Sequence, residues 1–356
     1  MIRRHFASAL AATIVAAVAL SASPAPADRV DPGLPAYRPE RPLAGDLTVG
    51  GGKLVEAWAR EFRRFLPGVR LAVRPPPTDS DQTLDDLIAG RLDLAAGGFQ
   101  REIATRQANG RPLAAPAPFA LAVSSGGTAR HPEFPAASPA LGIFVNRRNP
   151  LSRLTLAELD AVFSRTRRRG YPEPIVRWGQ LGLGGEWAQA PIRCYGMALH
   201  NQFGAPHGYV YFLADRVMAG GEFRPDLTEV PDTALGSGKN YAFAEVLRDV
   251  ARDPFGIAYA PFDFRTPEVK SLALAEKAGG AYFAGTREEV AQRTYPLTMT
   301  NYLSARRDAQ VRLDPLVREF FRYVLSREGQ EVVAEIGGNA LPLPAAFAAA
   351  ERAKLR

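Results

Sequence analysis

Three consecutive glycines, Gly50, Gly51 and Gly52, and the Lys53 that follows them join a short apolar run (Leu47, Val49) to an amphipathic segment. A glycine-rich turn from strand to helix lets the backbone approach a ligand. It also aims unpaired helix N–H groups at that ligand, which favours an anion. A plain tight turn uses the same residues, so the turn alone leaves both readings open. Nucleotide-loop chemistry is absent: Gly52-Lys53 and Gly238-Lys239 are followed by neither Ser nor Thr, and neither has the first glycine of a P-loop in place. The chain has no nucleophile elbow and no His-Glu-x-x-His motif. Cys194, His200 and His207 match no standard zinc spacing. These absences predict a binding protein rather than an enzyme, with no metal and no other cofactor.

The first 27 residues have the form of an export signal. Arg3 and Arg4 supply the positive start, Ala9 to Leu20 an apolar stretch too short to span a bilayer, and Ala25-Pro26-Ala27 a small-x-small cleavage pattern. The same stretch, left uncleaved, would act as a tether. No later segment approaches the roughly 18 uncharged apolar residues of a membrane span. The expected location is therefore the periplasm. ATP is scarce there, so a small free anion becomes the better candidate for the glycine turn. The single cysteine excludes an internal disulfide framework. Of the net charge of +7, Arg3 and Arg4 carry two; the rest is spread out and lacks an aromatic-basic ribbon, which argues against nucleic acid. The densest run, Arg165, Arg167, Arg168 and Arg169, suits a solvated loop or a docking surface.

Without its leader the chain retains 329 residues, enough for two domains. Residues 28–45 are rich in proline and read as a loose segment, with 28–40 as a flexible leader. Leu54, Val55, Trp58, Phe62, Phe65 and Leu66 recur at helical spacing over 53–66, with Arg60, Arg63 and Arg64 on the other face. Strands at 69–73 and 92–96 flank a second helix at 83–89. This β-α-β-α-β order predicts a parallel sheet with helices on its faces, and ligands in such sheets bind beyond the carboxyl ends of the strands. The turns at those ends are 50–53, 79–82 and 97–101. Proline and glycine crowd 110–140, marking a crossing into a second unit. There the spacing predicts a helix at 156–164 opened by a Thr155–Glu158 capping box, helices at 209–218 and 241–251, and a strand at 255–259. A second crossing is expected at 295–302, before terminal helices at 314–325 and 327–336.

Several segments in order resemble the periplasmic phosphate-binding protein of ABC importers, within the type II periplasmic binding proteins. They are Gly142-Ile143-Phe144-Val145-Asn146 with Asn149-Pro150-Leu151, Leu154-Thr155 through Val162-Phe163-Ser164 with Trp178, and Gly256-Ile257-Ala258-Tyr259-Ala260. Tyr295-Pro296-Leu297-Thr298, Phe320-Phe321 and Leu325-Ser326-Arg327-Glu328-Gly329-Gln330 complete the series. The resemblance implies a two-lobed α/β fold, each lobe a mixed sheet flanked by helices, joined by two crossing strands, with an anion in the cleft. The expected lobes are 41–140 with 296–346, and 141–295. Implied partners are a small inorganic or organic anion and an ABC permease in the inner membrane, the receptor acting as a monomer.

The resemblance assigns site residues only in part. The first family turn corresponds to Thr48 and to Gly50 through Lys53, with Gly51 and Gly52 at its centre. The second corresponds to Asp79 and Ser80, ahead of Leu87-Ile88-Ala89-Gly90; Asp79 stands where the family has glycine. The third family turn presents a carboxylate that accepts the proton of hydrogen phosphate, whereas Ala96-Gly97-Gly98-Phe99-Gln100-Arg101 has none. The family arginine matches Arg193, whose alternative is a structural ion pair. The family Ser-Gly-Thr helix start is replaced by Pro206-His207-Gly208 before Tyr209. Hydroxyls are lost there; backbone N–H groups and His207 remain as donors, and Asp79 remains as a substitute acceptor. Phosphate is the expected ligand, with sulfate, a phosphorylated metabolite or a carboxylate as alternatives, and sensing without transport as the other role.

Overall fold

The computed structural model describes residues 29–75, 80–111, 113, 116–126, 139–200, 208–231, 241–307, 312–336 and 340–356. The expected export signal, Asp79, His207 and the Gly238-Lys239 pair lie outside them. The chain opens with β1 (Gly45–Gly50), α1 (Lys53–Phe65), β2 (Val69–Arg74), α2 (Ser80–Ile88), β3 (Leu94–Ala96), α3 (Gln100–Ala108) and β4 (Phe119–Ser125). β1 lies between β2 and β3 and is parallel to both, with Leu47 opposite Leu71 and Val49 opposite Val73 and Leu94. The alternating order predicted this, because a helix between two neighbouring strands returns the chain to the same edge.

The chain then builds a second sheet. It contains β5 (Leu141–Asn146), β6 (Arg153–Thr155), α4 (Leu156–Phe163), β7 (Arg193–Met197), α5 (Gly208–Arg216) and β8 (Thr228–Val230). α6 (Tyr241–Arg252), β9 (Gly256–Pro261), β10 (Val269–Ser271), β11 (Ala273–Ala275) and α7 (Arg287–Ala291) follow. Among the described residues its order is β10-β5-β9-β7-β8, mixed in direction, while β6 and β11 pair separately. β12 (Thr300–Ala305) returns to the first sheet and gives the order β2-β1-β3-β12-β4. α8 (Pro315–Val324), α9 (Arg327–Ile336) and α10 (Ala345–Ala353) complete the chain. The two passages between the sheets run side by side: Gly126 N–H donates to Met299 O at 2.9 Å and Leu141 N–H to Leu297 O at 3.4 Å.

Each sheet has its own core. The buried face of α1, Val55, Trp58 and Phe62, meets α8 and α9. Phe62 stands edge-on to Phe320 with ring centroids 5.1 Å apart, and Trp58 Nε1 donates to Gly329 O at 2.7 Å. Burial of each such side chain stabilises the lobe by about 1.5–3 kcal/mol. α4 carries the capping box its sequence predicts, with Glu158 N–H donating to Thr155 Oγ1 at 3.2 Å and Thr155 N–H to Glu158 Oε2 at 2.7 Å.

Two segments differ from expectation. The described part of the proline-rich leader is docked rather than loose, because it carries two apolar anchors. Leu34 and Tyr37 are buried in the first core, and Tyr37 donates its hydroxyl to Glu319 at 2.9 Å. The final helix, α10, was not anticipated; Ala348 and Leu355 bury against the same core. Its Glu351 accepts the N–H of Ala122, covering β4 where that strand forms an open sheet edge. No helix among the described residues is long and apolar enough to cross a membrane.

Candidate functional site

Because β1, β2 and β3 run parallel, their carboxyl ends share one edge of the sheet, and a helix starts from each. At the first, Gly51 supplies shape rather than a donor. Its N–H is spent on Arg74 O at 3.0 Å, and a Cβ added there would fall 2.7 Å from Val55 Cβ. Gly52 is the N-cap of α1, and no side chain accepts from the helix start. The N–H groups of the first turn, with exposed Gly52 and Lys53, therefore remain available to an anion. Thr48 sits two residues inside β1 instead of at the turn. Its N–H donates to the Asp93 carboxylate and its carbonyl accepts from Asp93 N–H, both at 2.8 Å, so it braces the strand.

The third turn ends at another uncapped helix. Phe99, the N-cap of α3, has φ +58° and offers no side-chain hydrogen bond to the helix. A bulky residue in the left-handed region is strained, a cost accepted where surrounding structure demands a particular backbone. The Phe99 ring is buried with Leu84, Leu87 and Leu92, which holds the turn through Gly98 in place. As expected, residues 96–101 contain no carboxylate. The next residue does. Glu102 is buried at the start of α3 and takes a charge-assisted hydrogen bond from Arg101 Nε at 3.0 Å, with Arg101 Nη2 on the same oxygen.

The second lobe brings one helix start to the same place. α5 begins at Gly208, and a Cβ on that glycine would lie 3.6 Å from Arg101 Nη1. Tyr209 turns its ring into the second core, edge-on to Phe243 at 5.0 Å. Burial, then the charges of Asp215 and Glu102, push the Tyr211 hydroxyl above its ordinary pKa. The arginine run anchors the far end of the same helix. Arg169 donates to the carbonyls of Val217 and Arg216, both at 2.6 Å, and Arg168 to that of Ala219 at 3.4 Å. Cations at the carboxyl end complement the helix dipole and leave its positive end toward the gap. Arg216 Nε donates to Pro296 O at 2.9 Å, tying α5 to the returning passage.

Over 350 aligned residues the chain is 30% identical to the phosphate-binding protein PstS of Pseudomonas aeruginosa, covering 95% of each chain. It belongs to the PstS phosphate-binding protein family. That family consists of binding proteins, not enzymes. No protein-family model matches the chain. Among solved structures, PstS from Borrelia burgdorferi aligns with a TM-score of 0.49 at 12% identity, over 84% of this chain and 98% of that one. An ABC-type phosphate transport receptor from Vibrio cholerae aligns with a TM-score of 0.48 at 15% identity, over 84% and 100%.

Within this PstS-family chain, Arg193 is not brought to the gap. It is the first residue of β7, and α5 follows the other end of that strand. Four residues of strand separate the two ends by about 13 Å. Arg193 instead forks onto Asp253, with Nε to Oδ2 at 2.5 Å and Nη2 on Oδ1, above the Phe255 ring. Tyr195 Oη and Phe255 N–H also donate to Asp253, each at 2.9 Å. Burial raises the Asp253 pKa, but Arg193, the Phe255 N–H and Tyr195 together hold it below the ordinary carboxylate value. The Asp253 hydrogen bond, working against desolvation, raises that of Arg193. The residue at the carboxyl end of β7 is Met197, buried and uncharged. Arg193, the arginine matched to the family ligand, is thus engaged by Asp253 at the amino end of β7. Arg101 is the guanidinium at the gap; its position closing a turn at the start of a helix was the available signal. Ser80 is the first residue of α2.

Proposed function

We propose that this chain is an exported, periplasmic receptor that holds hydrogen phosphate between two lobes and delivers it to an ABC permease in the inner membrane. The lobes are 41–140 with 296–346, and 141–295, closing about the paired passages near residues 126, 141 and 297–299. The reading is carried by one observation: Arg101, at the uncapped start of α3, lies beside Gly208 at the start of α5 in the opposite lobe, where a Cβ added to that glycine would stand 3.6 Å from Arg101 Nη1. An oxyanion there receives N–H dipoles from helices on both sides and a charge-assisted bond from a guanidinium. The first turn of α1 after Gly52, shaped by Gly51, and the turn at Gly98 contribute backbone donors. Asp79 and His207 directly precede α2 and α5 in sequence, and Ser80 opens α2.

Glu102 takes the role that the third turn otherwise leaves empty. A buried carboxylate beside the anion accepts a hydrogen bond from a protonated oxyanion and repels a fully ionised one. Phosphate near neutral pH carries that proton and sulfate does not. Calorimetry of refolded, ligand-stripped protein against phosphate, sulfate, molybdate and simple carboxylates tests the proposal. The expected outcome is one phosphate per chain, bound at least tenfold tighter than sulfate. Absence of any anion binding below the millimolar range would overturn it.

A further inference from the structure

Far from the gap, on the first lobe, α8 and α10 place four arginines round one cavity of about 320 Å³. Arg318 and Arg322 are one turn apart on α8; Arg352 lies in the last turn of α10, and Arg356 four residues further on. Like charges at this spacing repel along a helix. Facing pairs from two helices compound the repulsion, against which stand two carboxylates, Glu40, which also lines the cavity, and Glu319. Arg322 is paired with Glu40 at 3.0 Å and Glu319 at 2.9 Å, and Glu319 also accepts the Tyr37 hydroxyl. Among the described residues, Arg318, Arg352 and Arg356 make no ion pair within 4.0 Å. Arg352 uses Nη1 on the carbonyl of Arg322 at 3.0 Å. Arg318 Nε is buried with no hydrogen-bond partner. A buried guanidinium donor without an acceptor is costly, and its natural complement is an oxyanion.

The geometry points to a second anion site here, for a ligand with two linked phosphoryl groups. Arginines one helical turn apart leave the helix about 5–6 Å apart at Cβ, so their two guanidiniums can reach separate oxyanion groups of one ligand. That suits two joined tetrahedral oxyanions better than one, and each planar fork takes two oxygens. The cavity has room for such a group, and the exposed Arg356 leaves its mouth open to solvent.

Inorganic pyrophosphate is the probe. Titrated by calorimetry and by thermal shift into the full chain, it is expected to bind at this site and raise the melting temperature. Arg101→Gln, which alters the interlobe gap, leaves this binding in place. Arg356→Glu, a change at an exposed position, weakens it by about tenfold or more, the effect of losing one bond to a charged partner. Arg318→Gln with Arg356→Gln abolishes it without unfolding the chain, as judged by the unliganded melting curve. No pyrophosphate-dependent heat or shift in the parent chain would overturn the inference. So would binding that disappears in Arg101→Gln but survives in the arginine-pocket variants. Both readouts are independent of whether phosphate occupies the gap between the lobes.

Discussion

The chain contains two arginine–carboxylate pairs that look alike and stand at opposite ends of the strand geometry. Glu102 and Asp253 are both nearly buried, with side-chain exposures of 10% and 9%, and each holds an arginine by a charge-assisted fork or near-fork. Arg193 starts a strand in the second lobe; Arg101 lies in the first turn of a helix that follows a parallel strand in the first. In an α/β sheet only the carboxyl ends of the strands open onto the ligand crevice. The same pair therefore braces a lobe in one place and meets the opposite lobe in the other. Charge and burial do not separate the two roles. Strand polarity does.

The largest consequence lies at Arg101. Replacing it with glutamine removes the guanidinium at the α3–α5 gap, and phosphate affinity is expected to fall by about 1.5–3 kcal/mol, the value of hydrogen bonds to a charged group. Calorimetry reads the affinity and thermal denaturation reads the fold, which should change little. Unchanged affinity in a folded Arg101→Gln protein would remove Arg101 from the site and break the contrast with Arg193.

A smaller effect is expected at Glu102, and it should fall on selectivity. Glutamine keeps the shape and an acceptor oxygen but loses the negative charge. Phosphate is expected to weaken and sulfate to strengthen, narrowing the gap between them by about 1–2 kcal/mol. Competition titrations of Glu102→Gln with the two anions give this ratio directly. If the ratio is unmoved while both affinities fall, Glu102 only orients Arg101.

At the structural pair the expectation is inverted. Arg193→Gln should leave phosphate affinity unaltered and lower stability by about 1 kcal/mol, since Arg193 is 47% exposed and solvent screens its part of the pair. The pH dependence follows from Asp253. Its folded pKa lies below the unfolded value, so its stabilising contribution is present above the unfolded pKa and is lost as pH falls through the folded one. Asp253→Asn should therefore melt below the parent protein at neutral pH, with the difference shrinking as pH drops below about 4. A difference that persists in acid would assign the loss to packing instead of charge.

Much of this was legible before any coordinates. The glycine turn, the amphipathic stripe of α1, the alternating order of β1 to β3 and the Thr155–Glu158 box are local patterns, and each formed as its spacing requires. What failed involved distant partners or direction. Pro32, Pro35, Pro39 and Pro42 suggested a loose segment, yet Tyr37 finds Glu319 and the segment docks. Arg193 matches the family arginine by sequence, but a single strand carries no mark of which end faces the cleft, and Arg193 opens β7. The helix α5, which follows Met197, supplies that information only once the sheet is assembled. Glu102 lies one residue past the turn, on the first turn of α3, outside the stretch the family motif covers.

The smallest expected effect tests the gap between α3 and α5 itself. Gly208 is the first residue of α5, and a Cβ there would meet Arg101 Nη1 at 3.6 Å, a normal contact distance. Gly208→Ala should therefore change phosphate affinity by less than about 0.5 kcal/mol, the scale of an ordinary surface substitution. It should also stabilise the chain slightly, since alanine loses less backbone entropy than glycine in a helix. Gly208→Leu should behave differently: its side chain must share space with the Arg101 guanidinium, pushing it off the anion and holding the lobes apart. A graded fall in affinity from alanine to valine to leucine, with melting temperatures held level, would locate the ligand between these two helix starts. An affinity indifferent to side-chain size at Gly208 would place the bound anion elsewhere along the edge, nearer α1 and α2.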